Sequence, residues 1–249
     1  MFSCVVPVKG PRPYMEEALD SLVAQKAGKE LEIIIQDGDV EPDRGQSDAL
    51  NRGFARAKGE WLFWLNADDV LLPGALECVN GLLQKIDKNR LRWIAGNTKY
   101  IDSGGMVINV RKDARWYPWL GRHLSVWTGG PSAFFHRDLW ERLGMFDNTF
   151  RFMMDIDLWT RWAKAGQRFT VVDEYVWGFR VHQGSLTSGG KYELERYAER
   201  KHLWEKHGLR RQYFWRNLTR FVQLMDGSWF RRKWDSHIMR GTHWRLGGK

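Results

Sequence analysis

The stretch Trp61-Leu62-Phe63-Trp64-Leu65-Asn66-Ala67-Asp68-Asp69 places two adjacent carboxylates directly after a short, uncharged apolar run. A run of this length that ends in polar residues favours a buried β-strand over a helix. Two interpretations of its acidic end stay open. The adjacent carboxylates at the strand end can hold a hard divalent cation. Alternatively, they form a turn in which an Asp caps the helix that Pro73 opens.

Outward from this stretch, apolar runs alternate with segments in which apolar residues recur at helical spacing. The predicted elements of the first half are strand 2–8, helix 14–25, strand 31–35, a helix capped by Ser47 or Asp48, strand 61–65 and a helix after Pro73. This alternation predicts an α/β fold with a mostly parallel central sheet flanked by helices. Ligands bind at the carboxyl ends of such strands, where the acidic clusters 37–39 and 68–69 fall.

The second half of the chain is less regular. Its predicted elements are a hairpin over 99–110 that turns at residues 103–105, helices over 138–143 and 155–165, a strand over 168–172 and a helix over 192–206. Gly129-Gly130-Pro131 lacks the spacing of a dinucleotide-binding loop. These glycines favour instead a close approach of the backbone to a neighbouring group.

Length, charge and cysteine content limit the class of protein. The 249 residues suit one α/β domain with an appendage. Residues 200–249 hold thirteen Lys and Arg against three acidic residues, a net charge of +10 within a total of +9, so the body carries about −1. Cys4 and Cys78 lie far apart, which suits a reducing compartment. We expect no signal peptide and no membrane span, because the N-terminus and the apolar runs lack those patterns.

Three further residues are candidates for chemistry, each with an ordinary alternative. Asp37, at a predicted strand end, can accept hydrogen bonds from a base or ribose, or it can belong to a common Asp-Gly turn. Asp155, at the start of a predicted helix, can act as a general base, or it can cap the helix. His182 can bind a metal ion, or it can be an ordinary surface histidine.

The motifs, taken in their order along the chain, resemble the family 2 glycosyltransferases over roughly residues 2–190. The resemblance is carried by Ser3-Cys4-Val5-Val6-Pro7-Val8, Gln36-Asp37-Gly38, residues 41–53, Trp64-Leu65-Asn66-Ala67-Asp68-Asp69, Gly144-Met145-Phe146-Asp147, Asp155-Ile156-Asp157-Leu158-Trp159 and Arg180-Val181-His182-Gln183-Gly184-Ser185. It implies a GT-A type nucleotide-sugar-binding fold and inversion at the anomeric centre. Two departures stand out: the segment from Gly38 to Glu41 is shorter than in the family, and Met154 stands where relatives often place an acid.

The resemblance also implies a role for each site residue. Asp155 is the catalytic base, and Asp69, Asp68 and His182 hold Mn²⁺ or Mg²⁺. The residues assigned to the donor are Pro7, Val8, Asp37, Asn51, Asn66 and Asp68, with Pro7 and Val8 lining the nucleotide pocket and Asp37 meeting the base.

The expected activity is metal-dependent, inverting transfer of a sugar from a nucleotide-sugar donor, expected to be UDP-linked, to a hydroxyl of a glycan or lipid-linked acceptor in polysaccharide or glycolipid assembly. The alternative is a degenerate glycosyltransferase-like protein that serves as a binding module or membrane adaptor. The predicted domains are a catalytic domain over 1–190, divided at 98/99 into a nucleotide-sugar-binding half and an acceptor half, and a basic, helical extension over 191–249.

The basic extension interleaves Arg and Lys with aromatic residues over 209–224 and 229–240. This composition suits binding to an anionic membrane surface. The alternatives are packing of the aromatic residues onto the body and stacking on nucleic acid. We expect membrane binding from the cytoplasmic side, at the inner face of the cytoplasmic membrane, and no nucleic-acid partner, because an acceptor on a lipid carrier lies at the membrane.

Overall fold

The computed structural model describes residues 1–25, 30–85, 93–113, 128–167, 169–185, 191–209, 221, 224–225 and 227–245. The strands are β1 (Phe2–Val8), β2 (Leu31–Asp37), β3 (Trp61–Trp64), β4 (Val70–Leu71), β5 (Trp93–Ile101), β6 (Val107–Arg111), β7 (Ala133–His136) and β8 (Phe169–Arg180). The helices are α1 (Met15–Val23), α2 (Gln46–Arg56), α3 (Ala75–Lys85), α4 (Arg137–Leu143), α5 (Met154–Lys164), α6 (Glu193–Lys206) and α7 (Ser228–Met239).

The strands form one sheet in the order β2-β1-β3-β7-β5-β8-β4, with β6 paired to β5. The predicted α/β fold is confirmed. β1 is parallel to β2 and β3, and β5 is parallel to β8, whereas β7, β6 and β4 pair antiparallel to their neighbours. The expectation of a mostly parallel sheet therefore holds for the first three strands, and the whole sheet is mixed. The difference arises from β7, a four-residue strand that inserts between β3 and β5.

Apolar side chains cover both faces of the sheet. One face packs against α2, α4 and α5, where Trp159 of α5 stacks between Trp64 and Trp93 with ring centroids 6.0 and 4.7 Å away. The other face packs against α1 and α3. Burial on both faces explains why β1 and β3 are almost continuously apolar rather than alternating.

The start of α2 differs from the prediction, because neither Ser47 nor Asp48 caps the helix. Gly45, with φ of +117°, precedes the helix. The Ser47 hydroxyl donates instead to the Phe150 carbonyl at 3.0 Å, and the Asp48 carboxylate accepts from the Arg44 backbone N–H at 3.1 Å. The hydroxyl thus ties α2 to the loop before α5.

The described part of the basic extension packs on the body. On α7, Asp235 accepts a hydrogen bond from the Tyr175 hydroxyl at 2.8 Å and forms an ion pair with Lys112 at 3.0 Å. Beyond α7, Trp244 is buried beside β4 and β6. Packing is therefore observed for residues 228–245, whereas most of the predicted amphipathic segment 209–224 lies outside the described residues. Within the residues described, we find no helix that combines the length and the apolar character needed to span a membrane.

Candidate active site

Asp68 and His182 meet at the carboxyl end of β3. His182 follows β8 by two residues, and its Nε2 lies 3.0 Å from Asp68 Oδ2. Both side chains reach solvent, with exposed fractions of 38% for Asp68 and 17% for His182. The structure thus brings together two of the three predicted metal ligands in a solvent-accessible pair.

Asp69, the third predicted ligand, points into the protein. Its Oδ1 accepts from the Arg180 backbone N–H at 2.8 Å, and its Oδ2 accepts from the Asn66 side chain at 2.8 Å. Burial, together with the nearby Asp68 charge, raises the pKa of the Asp69 carboxyl above its usual range. Both oxygens accept hydrogen bonds from protein donors, so Asp69 anchors the strand end, whereas the Asp68 side chain reaches solvent.

Arg180, the last residue of β8, holds this strand end in place. Its guanidinium donates to the Asp68 carbonyl at 2.9 Å and to the Glu17 carboxylate at 2.5 Å. It also lies over the Tyr14 ring, 4.5 Å from the ring centroid. Arg180 lies within one of the motifs that resemble the family, but the sequence alone assigns it no role. The signal was available, because an arginine that ends an apolar strand needs several acceptors once it is buried.

Asn66 connects the acidic stretch to α2. Its side-chain oxygen accepts from the Gln46 side chain at 2.7 Å, while its amide nitrogen binds Asp69. Asn66 therefore lies at the expected strand end, where it fixes the loop that carries Asp68.

Asp37 lies where predicted, at the end of β2. In the parallel pairing, Pro7 and Val8 of β1 stand opposite Gln36 and Asp37, so three of the predicted donor residues form one continuous edge. Asp37 Oδ1 accepts from Arg12 at 2.8 Å. No sequence pattern marked Arg12, because its role depends on a contact across 25 residues.

Asn51 does not join this edge. Its amide nitrogen donates to the Phe146 carbonyl at 3.0 Å, and its amide oxygen accepts from the Phe146 N–H at the same distance. The side chain therefore fastens α2 to the loop after α4. The predicted contact of Asn51 with a donor would require both of these hydrogen bonds to break.

Asp155 lies in the first turn of α5, beside the end of β3. A β-carbon added at Gly130 would come within 3.0 Å of Asp155 Oδ2 and would collide with the Trp64 ring, so the missing side chain leaves room for both. This confirms the close backbone approach predicted for the glycine pair. Burial raises the pKa of Asp155 from 3.8 to about 6, although the backbone N–H groups of Ile156 and Gly130 and the charge of Arg111 oppose the shift.

Asp157, two residues further along α5, is fully buried and serves a different purpose. Its carboxylate accepts hydrogen bonds from Arg161 at 2.9 Å, Lys206 at 2.7 Å and His207 at 2.9 Å. Although burial opposes the shift, these partners hold the pKa of Asp157 well below its usual range. Asp157 therefore joins α5 to the end of α6.

The donor atoms at the end of β3 fit a hard divalent cation in part. Asp68 and His182 offer one carboxylate and one imidazole, ligands that Mn²⁺ accepts. Among the described residues, no group of three or more His, Cys, Asp or Glu side chains is close enough to form a complete cage. Asp68 and His182 are therefore the side chains of this strand end that could hold a cation.

Comparisons with known proteins bear on the fold and on the class of protein. Residues 39–154 match the family described as Glycosyl transferase family 2. An uncharacterized glycosyltransferase of Rickettsia typhi is 25% identical over 225 residues, which cover 79% of this chain and 69% of the relative.

Two solved structures share the fold. S. aureus TarS 1–349 in complex with UDP-GlcNAc superimposes with a TM-score of 0.59 at 17% identity, over 79% of this chain and 64% of that one. The mannosyltransferase PcManGT from Pyrobaculum calidifontis, in complex with GDP-Man and Mn²⁺, gives 0.58 at 18% identity, over 82% and 63%. The chain thus spans less than two thirds of these two solved chains.

The mixed sheet has the GT-A fold of these two glycosyltransferase structures. The family match over residues 39–154 and the relatives named as glycosyltransferases confirm the predicted resemblance to glycosyltransferase family 2.

Proposed function

We propose that this chain is a metal-dependent, inverting glycosyltransferase in which Asp155 is the catalytic base and Asp68 and His182 hold the cation. The observation that carries the proposal is the position of Asp155: its carboxylate and the Trp64 ring pack against the same glycine, and Trp64 ends the strand that leads into Asp68. A proton acceptor and a cation site therefore share one strand end.

Asp155 is suited to deprotonate an acceptor hydroxyl. The acceptor O–H bond breaks and its proton passes to the Asp155 carboxylate, while the oxygen bonds to the anomeric carbon from the face opposite the nucleotide. The bond from that carbon to the diphosphate oxygen breaks, and its electron pair leaves with the diphosphate. A carboxylate with a pKa near 6 is ionised at neutral pH and is more basic than an ordinary Asp.

A bound Mn²⁺ or Mg²⁺ would neutralise the charge that develops on the departing diphosphate. Asp68 and His182 are the side chains that would supply its protein ligands. Asp69 anchors the strand end next to Asp68 through its hydrogen bonds with Arg180 and Asn66. The family resemblance implies that Asp69 is a metal ligand. Its two occupied oxygens move that role to Asp68.

The donor base is assigned to the edge formed by Pro7, Val8 and Asp37. We propose a nucleoside-diphosphate sugar and test UDP-linked donors first. The neighbouring structures contain UDP-GlcNAc and GDP-Man, so guanosine donors form the second arm.

The test is a donor screen that reads nucleotide release with Mn²⁺, with Mg²⁺ and with a chelator. With the metal present, the proposed enzyme releases nucleotide when an acceptor is added and, more slowly, when water takes the place of the acceptor. Without the metal it releases none. Asp155→Asn serves as the matched control, because it keeps the shape of the side chain and removes the base. Donor binding without turnover for the unchanged chain in every arm would favour the degenerate binding module.

We also propose that α7 binds an anionic membrane surface, where a lipid-linked acceptor in polysaccharide or glycolipid assembly would lie. Phe230, Trp234 and Ile238 recur every four residues along α7 and are 60, 67 and 56% exposed. The charged residues Arg232 and Lys233 lie beside this stripe, while Asp235 faces the body. Apolar residues at helical spacing with basic neighbours suit the headgroup region.

Sedimentation of the full chain with vesicles tests the membrane proposal. We expect binding to anionic vesicles that weakens with salt, since each basic residue near the surface contributes about 1 kcal/mol. Replacing Phe230, Trp234 and Ile238 by Ser should abolish it. Leu194→Ser, at an exposed apolar residue of α6, is the control. Equal binding to neutral and anionic vesicles contradicts the proposal.

A further inference from the structure

The end of the basic extension reaches the residues that hold the candidate cation site. Trp244 is 4% exposed and packs with Val70, Leu72 and Ile101. Its indole Nε1 donates a hydrogen bond to Glu17 Oε1 at 2.9 Å, across 227 residues of chain. A second residue of the extension, Arg245, lies 4.0 Å from the same oxygen and is largely exposed.

Glu17 passes this contact to Arg180. The other Glu17 oxygen, Oε2, accepts from Arg180 Nη2 at 2.5 Å. Arg180 is 1% exposed, and its remaining guanidinium nitrogens donate to the carbonyls of Asp68, at 2.9 Å, and of Asp102 and Ser103. Its backbone N–H binds Asp69. One buried side chain therefore joins the extension to the backbone of the metal-ligand candidate Asp68.

The other member of the cation pair contacts the same arginine through Tyr14. The Tyr14 ring centroid lies 4.5 Å from the Arg180 guanidinium and 5.1 Å from the His182 ring centroid. Arg180 thus borders Asp68 on one side and, through Tyr14, His182 on the other. A shift of its guanidinium would change the separation of the two proposed ligands.

We infer that Trp244 is a positioning residue for the donor site, acting through Glu17 and Arg180 to set the geometry of Asp68 and His182. The inference rests on the proposed cation site. Without the indole N–H, Arg245 is the one partner that Glu17 Oε1 keeps among the described residues, and it is distant and exposed. The carboxylate is then no longer held in the orientation that fixes Arg180. The C-terminal segment is then part of the scaffold of the donor site as well as a packed edge of the fold.

Trp244→Phe tests this relay, because it removes the N–H donor and retains an aromatic ring in the buried position. Trp229→Phe is the matched control, at a partly exposed tryptophan of the same extension that lies outside the proposed membrane-binding stripe. Mn²⁺ binding to the full chain is measured by electron paramagnetic resonance, with UDP or GDP present and with Mn²⁺ alone. We expect about three- to tenfold weaker Mn²⁺ binding for Trp244→Phe and no change for the control.

Amide hydrogen exchange at Arg180 in metal-free protein provides a second readout. Its N–H donates to buried Asp69, and this hydrogen bond should open more often once Glu17 no longer holds Arg180 in place. We therefore expect faster exchange in Trp244→Phe and in Glu17→Gln, and unchanged exchange in Trp229→Phe. In the double variant the two effects should not add, because both act on one chain of contacts. Additive effects overturn the relay.

The outcomes separate the relay from the proposed function. A lower melting temperature for Trp244→Phe, with Mn²⁺ binding and Arg180 exchange unchanged, would make Trp244 a packing residue only and overturn the inference. If the unaltered chain binds no Mn²⁺ in any arm, the proposed cation site fails, and the exchange measurement alone decides whether the relay exists.

Discussion

Two acidic regions of the molecule, the end of β3 and the start of α5, are built alike and stabilised differently. Each contains one fully buried acid and one partly buried acid: Asp69 and Asp68 in the first region, Asp157 and Asp155 in the second. Asp69 is surrounded by neutral donors, and burial raises its pKa. Asp157 is surrounded by Arg161, Lys206 and His207, which lower its pKa despite burial.

The contrast shows that burial alone does not decide the charge of a carboxylate. Two neutral hydrogen-bond donors leave the desolvation of Asp69 incompletely offset, whereas hydrogen bonds from His207, Lys206 and Arg161 more than offset that of Asp157. In both regions the buried acid shapes the loop or helix, and its neighbour is the residue proposed for the chemistry. Substitutions at the four positions should therefore separate turnover from stability.

The largest expected effect is on turnover at Asp155. Asp155→Asn should lower kcat by about 10² to 10⁴, the usual contribution of a positioned general base, with little change in donor affinity. Steady-state kinetics and donor titration measure the two. If donor binding is lost while kcat is preserved, Asp155 is a donor ligand, and the start of α5 does not supply the base.

The next effect is on stability at Asp157. Asp157→Ala leaves Lys206, Arg161 and His207 without their shared carboxylate and should lower the free energy of unfolding by about 3 kcal/mol. Urea unfolding measures the loss, and Asp155→Asn at pH 8 is the control that should show none. Specific activity of the folded fraction should remain within a few fold. A stable but inactive Asp157→Ala would make Asp157 the next candidate for the base.

A smaller effect separates Asp68 from Asp69. Asp68→Asn should raise the Mn²⁺ concentration required for half-maximal activity by at least about tenfold and leave the fold intact. Asp69→Asn sets an amide N–H against the donors of Arg180 or Asn66, so it should lower the unfolding free energy by about 1–3 kcal/mol, with metal dependence retained. The reverse pattern would restore Asp69 as the principal ligand.

The sequence predicted the α/β fold, most element bounds and the strand-end location of the acids, because periodicity and turn residues report local structure. It did not predict β7, since the three apolar residues Ala133-Phe134-Phe135, between Ser132 and His136, are too few to show a period. Nor did it distinguish Asp68 from Asp69. Which of two adjacent carboxylates turns inward depends on Arg180, more than 100 residues away, and spacing along the chain carries no record of such a contact.

The smallest predicted effects are those of pH on turnover and on the free energy of unfolding. The pKa of Asp155 is raised and that of Asp157, two residues further along α5, is lowered, so their effects have opposite signs. Asp155 must be ionised to accept a proton, so kcat/KM should fall about tenfold per pH unit below about 6, where an unshifted Asp would hold activity to about pH 4. The residual activity of Asp155→Asn should not show this fall in acid.

The contributions of Asp155 and Asp157 to the free energy of unfolding should also depend on pH in opposite directions. The folded state of Asp155 binds its proton more tightly than the unfolded state, so its carboxylate destabilises the fold above about pH 6, and this cost disappears as the pH falls towards 4. Asp157 has a lowered pKa, so its contribution is present at neutral pH and is lost as the pH falls below the ordinary Asp range. Relative to the unaltered chain, Asp155→Asn should therefore be most stable at pH 8, by on the order of 1 kcal/mol. The deficit of Asp157→Ala should shrink in acid. Parallel pH profiles of unfolding for the two variants would contradict the distinction between a chemical and a structural acid on α5.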